Sequence, residues 1–322
     1  MAAPTRTSRA GSVNATLTGF FNDQSEAGRW VGLKAAPFTI VDGLGGTYSR
    51  QDDTGWLNLK ESPGMDDALS DNAPAKQIAM VDATEVVALE RDAYTTVAPI
   101  SRIKAAAALG QDYDIRAMRR VAGHIHNRHE LQVMTILSDS ANFGYDADPG
   151  NFTTASTSLI LPVKALMDSV AGSIGYDPNV AVINPDVARY LENLDEVAGW
   201  NGQFFNNAAT PAARGKLVAF FREMFDLELI VSKTKYTAAD GTLAYMMGDH
   251  IAIYHSDNTG LPSFITTFGN YWLGDTSGPM SLAGIRDFPS YDPEGTVYAA
   301  DALYKVQSDN ANAGGILTDV LT

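Results

Sequence analysis

The chain has 322 residues, a formal net charge of −15 at neutral pH and no cysteine. The lack of cysteine excludes disulfide bonds, thiolate metal sites and cysteine nucleophiles, and it is typical of proteins made in a reducing compartment. The acidic balance argues against a surface that grips nucleic-acid phosphates, because such a surface needs clustered lysine and arginine. A hydrophobic content of 45% predicts a folded protein with a sizeable core.

The first 30 residues are polar and lack the apolar stretch of a secretory signal. No run of 18 apolar residues occurs anywhere in the sequence, so we expect no transmembrane helix and no membrane partner. Residues 1–30, with basic side chains at Arg6 and Arg9, are predicted to form a flexible arm.

Residues 31–95 contain a long section with little core pattern. The stretch "ESPGMDDALSDNAPAKQ" consists largely of turn-forming and charged residues, and a glycine-rich turn at Gly43, Gly45 and Gly46 precedes it. A section of this length without its own core is expected to be an extended excursion that is mobile or lies on a neighbouring molecule. Its candidate intermolecular anchors are Trp56, Leu57, Leu59, Lys60 and Met65.

One long amphipathic helix is predicted over residues 112–138, with Asp112 as its N-cap. At about 100° per residue the apolar residues fall on a single stripe of a helix about 39 Å long. Five positions are predicted to be core residues on this stripe: Ile115, Met118, Ile125, Val133 and Ile136.

The same helix contains "HIHNRHE", which holds three of the five histidines of the chain. His124 points away from His126 and His129, which lie about 60° apart on or beside the apolar stripe. Three histidines arranged in this way cannot converge on one metal ion. A zinc-protease motif would also need histidine at position 133, where the sequence has valine. We therefore interpret these histidines as packed or hydrogen-bonded side chains.

Residues 156–262 alternate between helical and strand patterns, which favours a compact α/β domain. A clear example is "NPDVARYLENL", where Asn184 caps a helix and Pro185 occupies its first position. Residues 263–308 end in a long strand, and residues 309–322 form a final short strand segment.

Three other stretches resemble known functional motifs but lack a residue or an element that each motif requires. "GDTSGP" at 274–279 has threonine where a serine protease has its nucleophile, and "DADPG" at 146–150 lacks the later ligands of a calcium loop. "GLGG" is not followed by the capped helix of a dinucleotide fingerprint. Acid, base and nucleophile do not come together in any pattern, so we expect no enzyme activity, no catalytic residue, no metal and no cofactor.

The order of these parts resembles the major capsid proteins of tailed bacteriophages, which have the HK97-like fold. The helix end "RHELQVMTILSDSANFG", the unit "VAVINPDVARYLEN" and the later "DHIAIYHSD" and "VYAADALYKV" are similar to segments of those proteins. The resemblance implies an α+β fold. In it, residues 1–30 are the N-terminal arm, 31–95 the E-loop region and 96–155 the peripheral (P) domain with its spine helix at 112–138. The axial (A) domain is 156–262, and 263–308 add P-domain strands before the C-terminal segment 309–322.

The function that this resemblance implies is a coat protein. Such subunits assemble with themselves into hexamers and pentamers of an icosahedral shell that encloses double-stranded DNA without reading its sequence. The implied location is the virion capsid, after assembly in the cytoplasm of a bacterial host. Scaffold, portal and decoration proteins are possible partners. Some members also crosslink an E-loop lysine to a neighbour, but no local motif marks Lys60 or Lys76 as reactive.

Two alternatives stay open at this stage. An encapsulin-like bacterial nanocompartment shell has the same fold and differs in its contents. An α/β enzyme with an unrecognised site would form small oligomers instead of particles.

Overall fold

The computed structural model describes residues 30–41, 45–51, 82–99, 101–103, 113–205, 214–257, 263–269, 284–291 and 294–321. The helices of this part of the chain are α1 Gly32–Ala35, α2 Tyr113–Ser138, α3 Ile160–Ile174, α4 Pro185–Leu191, α5 Asp195–Phe205 and α6 Arg214–Phe225. The strands are β1 Phe38–Ile40, β2 Gly45–Gln51, β3 Asp82–Ala88, β4 Glu90–Pro99, β5 Tyr145–Ala147, β6 Val180–Ile183, β7 Glu228–Val231, β8 Lys235–Thr237, β9 Leu243–Tyr245, β10 Ile251–Tyr254, β11 Ile265–Gly269, β12 Gly284–Tyr291, β13 Glu294–Ser308 and β14 Gly314–Leu317. The predicted α+β class is confirmed.

The long helix α2, called the spine helix below, lies against strands β4 and β13. Met118, Ile125 and Val133 are buried in the core that it shares with this sheet, and Ile136 is partly buried at its edge. The side chain of Ile115 lies outside the described residues. Because side chains three and four positions apart share one helix face, the apolar spacing buries one continuous stripe.

The sheet under the spine helix, called the first sheet, has the order β1-β11-β13-β12, and β4 also pairs with β13. β4 pairs antiparallel with β13 over ten residues, and β1 pairs parallel with β11. The boundary drawn at residue 95 therefore falls inside β4, and residues 38–40 also belong to this sheet. The sequence analysis predicted neither the pairing of β4 with β13 nor that of β1 with β11, since the partner strands lie about 200 residues away in the chain.

A second sheet has the order β5-β14-β10-β6-β7. All four residues of β6 are buried. Val180 and Val182 face the core that contains the spine helix, while Ala181 and Ile183 face the core formed with α4 and α6. A strand covered on both faces reads as a continuous apolar run, as "VAVI" does.

The C-terminal segment is part of this second sheet. β14 pairs with β10 and with β5, and Ile316 and Leu317 are fully buried. An added Cβ at Gly315 would lie 2.5 Å from Leu166 of α3, so only glycine allows the helix to approach the strand this closely.

Local capping fixes the helices of the second layer. Asn184 accepts a hydrogen bond from the backbone N–H of Val187 at 2.7 Å, as the cap pattern predicts. Glu196, on the unpredicted helix α5, accepts from the backbone N–H groups of Leu159 and Ile160 at the start of α3. Of the helices described, none combines the length and apolar character needed to cross a membrane.

Candidate functional site: the junction at His126, His129 and Glu130

Glu130 is a fully buried carboxylate on the spine helix that joins three parts of the fold. Its Oε2 accepts hydrogen bonds from the backbone N–H of Val31 at 3.0 Å and of Gly32 at 2.5 Å. Its Oε1 accepts from the hydroxyls of Ser232 at 3.2 Å and Thr234 at 3.3 Å, just after β7 of the second sheet. One side chain thus ties the N-terminal segment, the spine helix and the second sheet together.

The charge state of Glu130 is set by two opposed effects. Burial raises the pKa of the Glu130 carboxyl, because transfer out of water disfavours the charged form. The hydrogen bonds donated by Gly32, Ser232, Val31 and Thr234 favour the charged form and lower this pKa, but burial outweighs them.

His126 and His129 lie one turn apart beside this carboxylate, and both are buried. The ring of His126 stacks on Trp30 with centroids 4.9 Å apart. His129 Nε2 lies 2.9 Å from Thr267 Oγ1 on β11, and its ring meets Tyr304 of β13 edge to face. The two histidines therefore contact the N-terminal segment and the first sheet.

Burial holds both histidines neutral near pH 7. It lowers the pKa of His126 to about 4 from the 6.5 of a free histidine. Burial, together with the charge of His126, lowers the pKa of His129 to about 3. His124 faces away and is exposed, as the helical angles predict, with its ring stacked on Tyr94. Among the described residues, no group of three His, Asp or Glu side chains is placed to hold a metal ion.

Further contacts hold the N-terminal segment, residues 30–41, on the body. Trp30 Nε1 donates to Asn127 Oδ1 at 2.7 Å, and the hydroxyl of Tyr254 donates to the carbonyl of Ala35 at 2.7 Å. Ala35 and Ala36 are fully buried. Because Glu130 and His129 are buried and hydrogen-bonded to neighbouring segments of the fold, the junction is suited to fixing geometry rather than to binding a substrate.

Sequence reasoning placed the histidines on the helix but missed the burial of Glu130 beside them. The available signal was that Glu130 is the only acidic residue from 115 to 138 and lies beside the apolar stripe. Trp30 was also missed, because no local pattern links it to a helix about 100 residues later.

The predicted anchors of the excursion, Trp56, Leu57, Leu59, Lys60 and Met65, lie outside the described residues, as does "GDTSGP" at 274–279. In "DADPG", Asp148 Oδ1 accepts from the backbone N–H of Gly150 at 2.9 Å, and Gly150 has a φ of 81°. This geometry is that of a polar turn.

No protein-family model matches the sequence, and no curated protein matches it significantly. Solved structures do match along the chain. A phage-related protein from Bordetella bronchiseptica RB50 superposes with a TM-score of 0.72 at 15% identity, covering 97% of this chain and 98% of that chain. The capsid of the Myoviridae phage XM1 superposes with a TM-score of 0.52 at 9% identity and 86% coverage of both chains. The holo-SrpI encapsulin complex from Synechococcus elongatus PCC 7942 gives a TM-score of 0.50 at 11% identity, with 88% of this chain and 85% of that chain covered.

These matches define the fold as that of phage capsid proteins. The long helix across one sheet, the second α/β layer and the final strand together form the HK97-like fold that the sequence resembles.

Proposed function

We propose that this chain is a major capsid protein that assembles with itself into hexamers and pentamers of a closed phage head around double-stranded DNA. The observation that carries the proposal is a match over most of both chains: the capsid of phage XM1 and this chain cover 86% of each other. A match restricted to one layer would support only a shared domain.

The structure of the junction supports a structural role. Glu130 and His129 are buried and hydrogen-bonded to other parts of the fold, and His126 is buried against Trp30, so these titratable groups are shielded from solvent. We propose that the protein is not an enzyme, which leaves subunit contacts as the source of function.

We further propose that different segments of the chain have different structural roles in the shell. Residues 1–30 act as the arm, the section between Val41 and Leu89 as the E-loop, the spine helix with the first sheet as the P domain, and the second sheet with its helices as the A domain. Trp56, Leu57, Leu59, Lys60 and Met65 are the proposed anchors on a neighbour. A poorly cored section can offset its ordering entropy when another copy supplies the second surface.

The proposed location is the virion, after assembly in the host cytoplasm. Separate scaffold, portal and decoration proteins are proposed partners, as is DNA held without sequence-specific contacts.

The direct test is to express the full chain and to examine it by size-exclusion chromatography and negative-stain electron microscopy. We expect particles or ring-shaped capsomers. An elution volume of a monomer or dimer over all tested concentrations, salts and additions of a phage scaffold protein would contradict the proposal.

The E-loop assignment has its own test. Replacing residues 45–72 by a short Gly-Ser link is expected to leave a folded subunit that forms no closed shell. Unfolding of the subunit, or normal shells from the shortened chain, would show that the assignment is wrong.

A second candidate is an encapsulin-like shell, favoured by the match to the encapsulin of Synechococcus elongatus. The contents of purified particles separate the two functions. Nuclease-protected genome-length DNA supports the phage head, whereas an encapsulated protein cargo without DNA supports the nanocompartment.

A further inference from the structure

Strand β4 has one edge without a partner in the described part of the chain. Its ten residues pair with Gly295–Tyr304 of β13 in a single register without a bulge. The described ranges place no strand on its other side. We call this side the β4 edge. Such an edge presents a row of backbone N–H and C=O groups that can pair with another chain.

The middle of the β4 edge has none of the features that usually block a free edge. Proteins block such edges with charged side chains, proline or a bulge. Residues 93–98, "AYTTVA", contain no charge, no proline and no glycine, and most of them favour strands. The charged residues at the start of β4 are engaged within the subunit: Arg91 bonds to Asp301 at 2.7 Å, and Asp92 pairs with Arg128. The middle of the edge is therefore open to pairing.

The strands at the ends of the two main sheets differ from β4 in this respect. β1 and β5 have three residues each, and β7 has four. β12 has eight but contains Pro289, which lacks an N–H donor. Among the strands that the structure describes, β4 combines the greatest length of free edge with an uninterrupted row of donors. A protein that leaves such an edge unblocked is expected to cover it when assembled.

The packing around β4 leaves its edge accessible in the plane of the sheet. Asp92 and Tyr94 face the spine helix, where they contact Arg128 and His124. The alternate residues face the other way, and Thr95 is exposed there. Since the helix covers one face of the strand and not its edge, a partner can approach from the side. Only an extended chain offers N–H and C=O groups at the matching spacing.

We propose that the β4 edge pairs with the β4 edge of a second copy of this chain. The two strands run antiparallel about a two-fold axis at Thr95, and the first sheets of the two copies join into one. The inference rests on the assembly function proposed above and specifies one of its contacts between subunits.

The residues of β4 complement themselves in this arrangement. A two-fold axis perpendicular to the sheet makes identical edges antiparallel and keeps the same faces of both sheets on one side. With Thr95 on the axis, Ala93 lies opposite Val97 of the other copy, and Tyr94 lies opposite Thr96. Threonine pairs and pairs of an aromatic with a β-branched residue are favourable across strands.

The charges at the two ends of β4 favour the antiparallel direction. Arg102 is exposed just beyond the end of β4 and forms no ion pair with any residue that the structure describes. Antiparallel pairing brings it towards Glu90 at the start of the other strand, whose side chain is 58% exposed beside Lys305. Parallel pairing would instead bring two copies of Arg102 together, and like charges across strands are destabilising.

A strand from the arm of the chain is a less suitable partner. Residues 13–18, "VNATLT", alternate apolar and polar residues as strands do. A single added strand, however, has a free outer edge of its own, so the exposed row of donors is displaced and not removed. Two-fold pairing leaves neither β4 edge exposed.

The first experiment uses the absence of cysteine in the chain. In the variant Thr95→Cys the two thiols lie opposite each other across the axis, at a separation typical of cross-strand pairs and close to that of disulfides. After mild oxidation of assembled protein, we expect at least about ten times more covalent dimer than in the control Thr153→Cys, an exposed threonine before α3. An equal yield of dimer in the two variants would overturn the proposal.

The register is tested with Ala93→Cys and Val97→Cys. In particles of either variant alone, the thiols of paired strands lie about 13 Å apart, four residues along the strand, which is too far for a disulfide. Co-assembly of equal amounts of the two variants places the thiols opposite each other and should yield dimers. Equal yields from the single variants and the mixture would show that the axis does not lie at Thr95.

The second experiment places charge on the axis. Thr95→Lys and Thr95→Glu should each lower the yield of closed particles by about tenfold or more, because like charges then face each other. Both variants should fold, since Thr95 is exposed. Co-assembly of the lysine and glutamate variants should raise the yield several-fold above that of either alone. Thr237→Lys, an exposed threonine on β8, is the matched control and should assemble normally.

The outcomes separate this inference from the proposed function. If particles form and Thr95→Cys gives no dimers, the edge pairing is wrong and the capsid function stands. If no particles form but Thr95→Cys gives dimers in solution, the capsid function fails and the edge pairing stands. If both charged variants block assembly, their mixture restores nothing and no dimers form, another segment covers the β4 edge and the inference is overturned.

Discussion

Truncation of Glu130 should destabilise the subunit more than any other single loss of a charged side chain at the junction. Glu130→Ala leaves four donors without their acceptor: the N–H groups of Val31 and Gly32 and the hydroxyls of Ser232 and Thr234. The hydroxyls can rotate to other acceptors, whereas the two backbone donors cannot. At about 1–3 kcal/mol for each unsatisfied buried donor, less the relieved burial of the carboxylate, we expect a net loss of roughly 2–4 kcal/mol.

The assay is denaturant unfolding of unassembled subunits, supported by thermal melting, with an expected fall in Tm of about 5–10 °C. Glu130→Gln separates hydrogen bonding from charge. Its carbonyl oxygen can still accept from the backbone while its amide donates to the hydroxyls, so the expected loss is about 1 kcal/mol. Glu223→Ala, an exposed glutamate on α6, is the control and should change stability by less than about 0.5 kcal/mol. A loss for Glu130→Ala no larger than that of the control would refute the role of the carboxylate.

Three further perturbations test the junction and the stripe. In the folded chain His126 and His129 have pKa values of about 4 and about 3, below the 6.5 of a free histidine. The unfolded chain therefore takes up their protons first, and the free energy of unfolding falls as the pH drops from about 6.5 to 4. The raised pKa of Glu130 changes the stability in the opposite direction. The variant His126→Phe isolates the contribution of His126 and should flatten a plot of unfolding midpoint against pH. An unchanged slope would contradict this role of His126. Ile125→Asp buries an unpaired charge in the core and should cost several kcal/mol, measured by thermal melting; wild-type melting would mean that the stripe faces water. In Gly32→Ala the new Cβ would lie 2.8 Å from Glu130 Oε2, so cleavage of the N-terminal segment by added protease should be faster than in the wild type, and equal rates would argue against a tight contact.

The features that sequence predicted well are local ones. The long helix was predicted over residues 112–138 and is observed at Tyr113–Ser138, because side-chain period and helix geometry are coupled over a few residues. The same holds for Asn184, whose capping bond spans three residues. The final long strand and the short strand after it were also predicted.

The features that sequence missed depend on distant partners. β4 belongs to the first sheet only because β13 lies beside it, and no pattern within residues 90–99 encodes that pairing. Glu130 is buried only because Val31, Gly32, Ser232 and Thr234 supply donors from two remote segments. From the sequence alone, an acidic residue on a helix is expected to be exposed. Its burial requires all of these hydrogen-bond donors.

The contacts around residues 30–41 explain why a shell subunit would place buried polar groups here. This short segment connects the proposed arm to the proposed E-loop, so its position sets where both leave the body. Trp30 is held by Asn127, the next two backbone N–H groups by Glu130, Ala35 by Tyr254, and β1 by its pairing with β11. An apolar contact alone permits sliding, whereas hydrogen bonds to buried groups hold one register, since any shift would leave a donor unsatisfied. If both extensions bind neighbouring subunits, a small change in the direction of this segment produces a larger displacement at their far ends. The junction limits that displacement because its hydrogen bonds fix the position of residues 30–41.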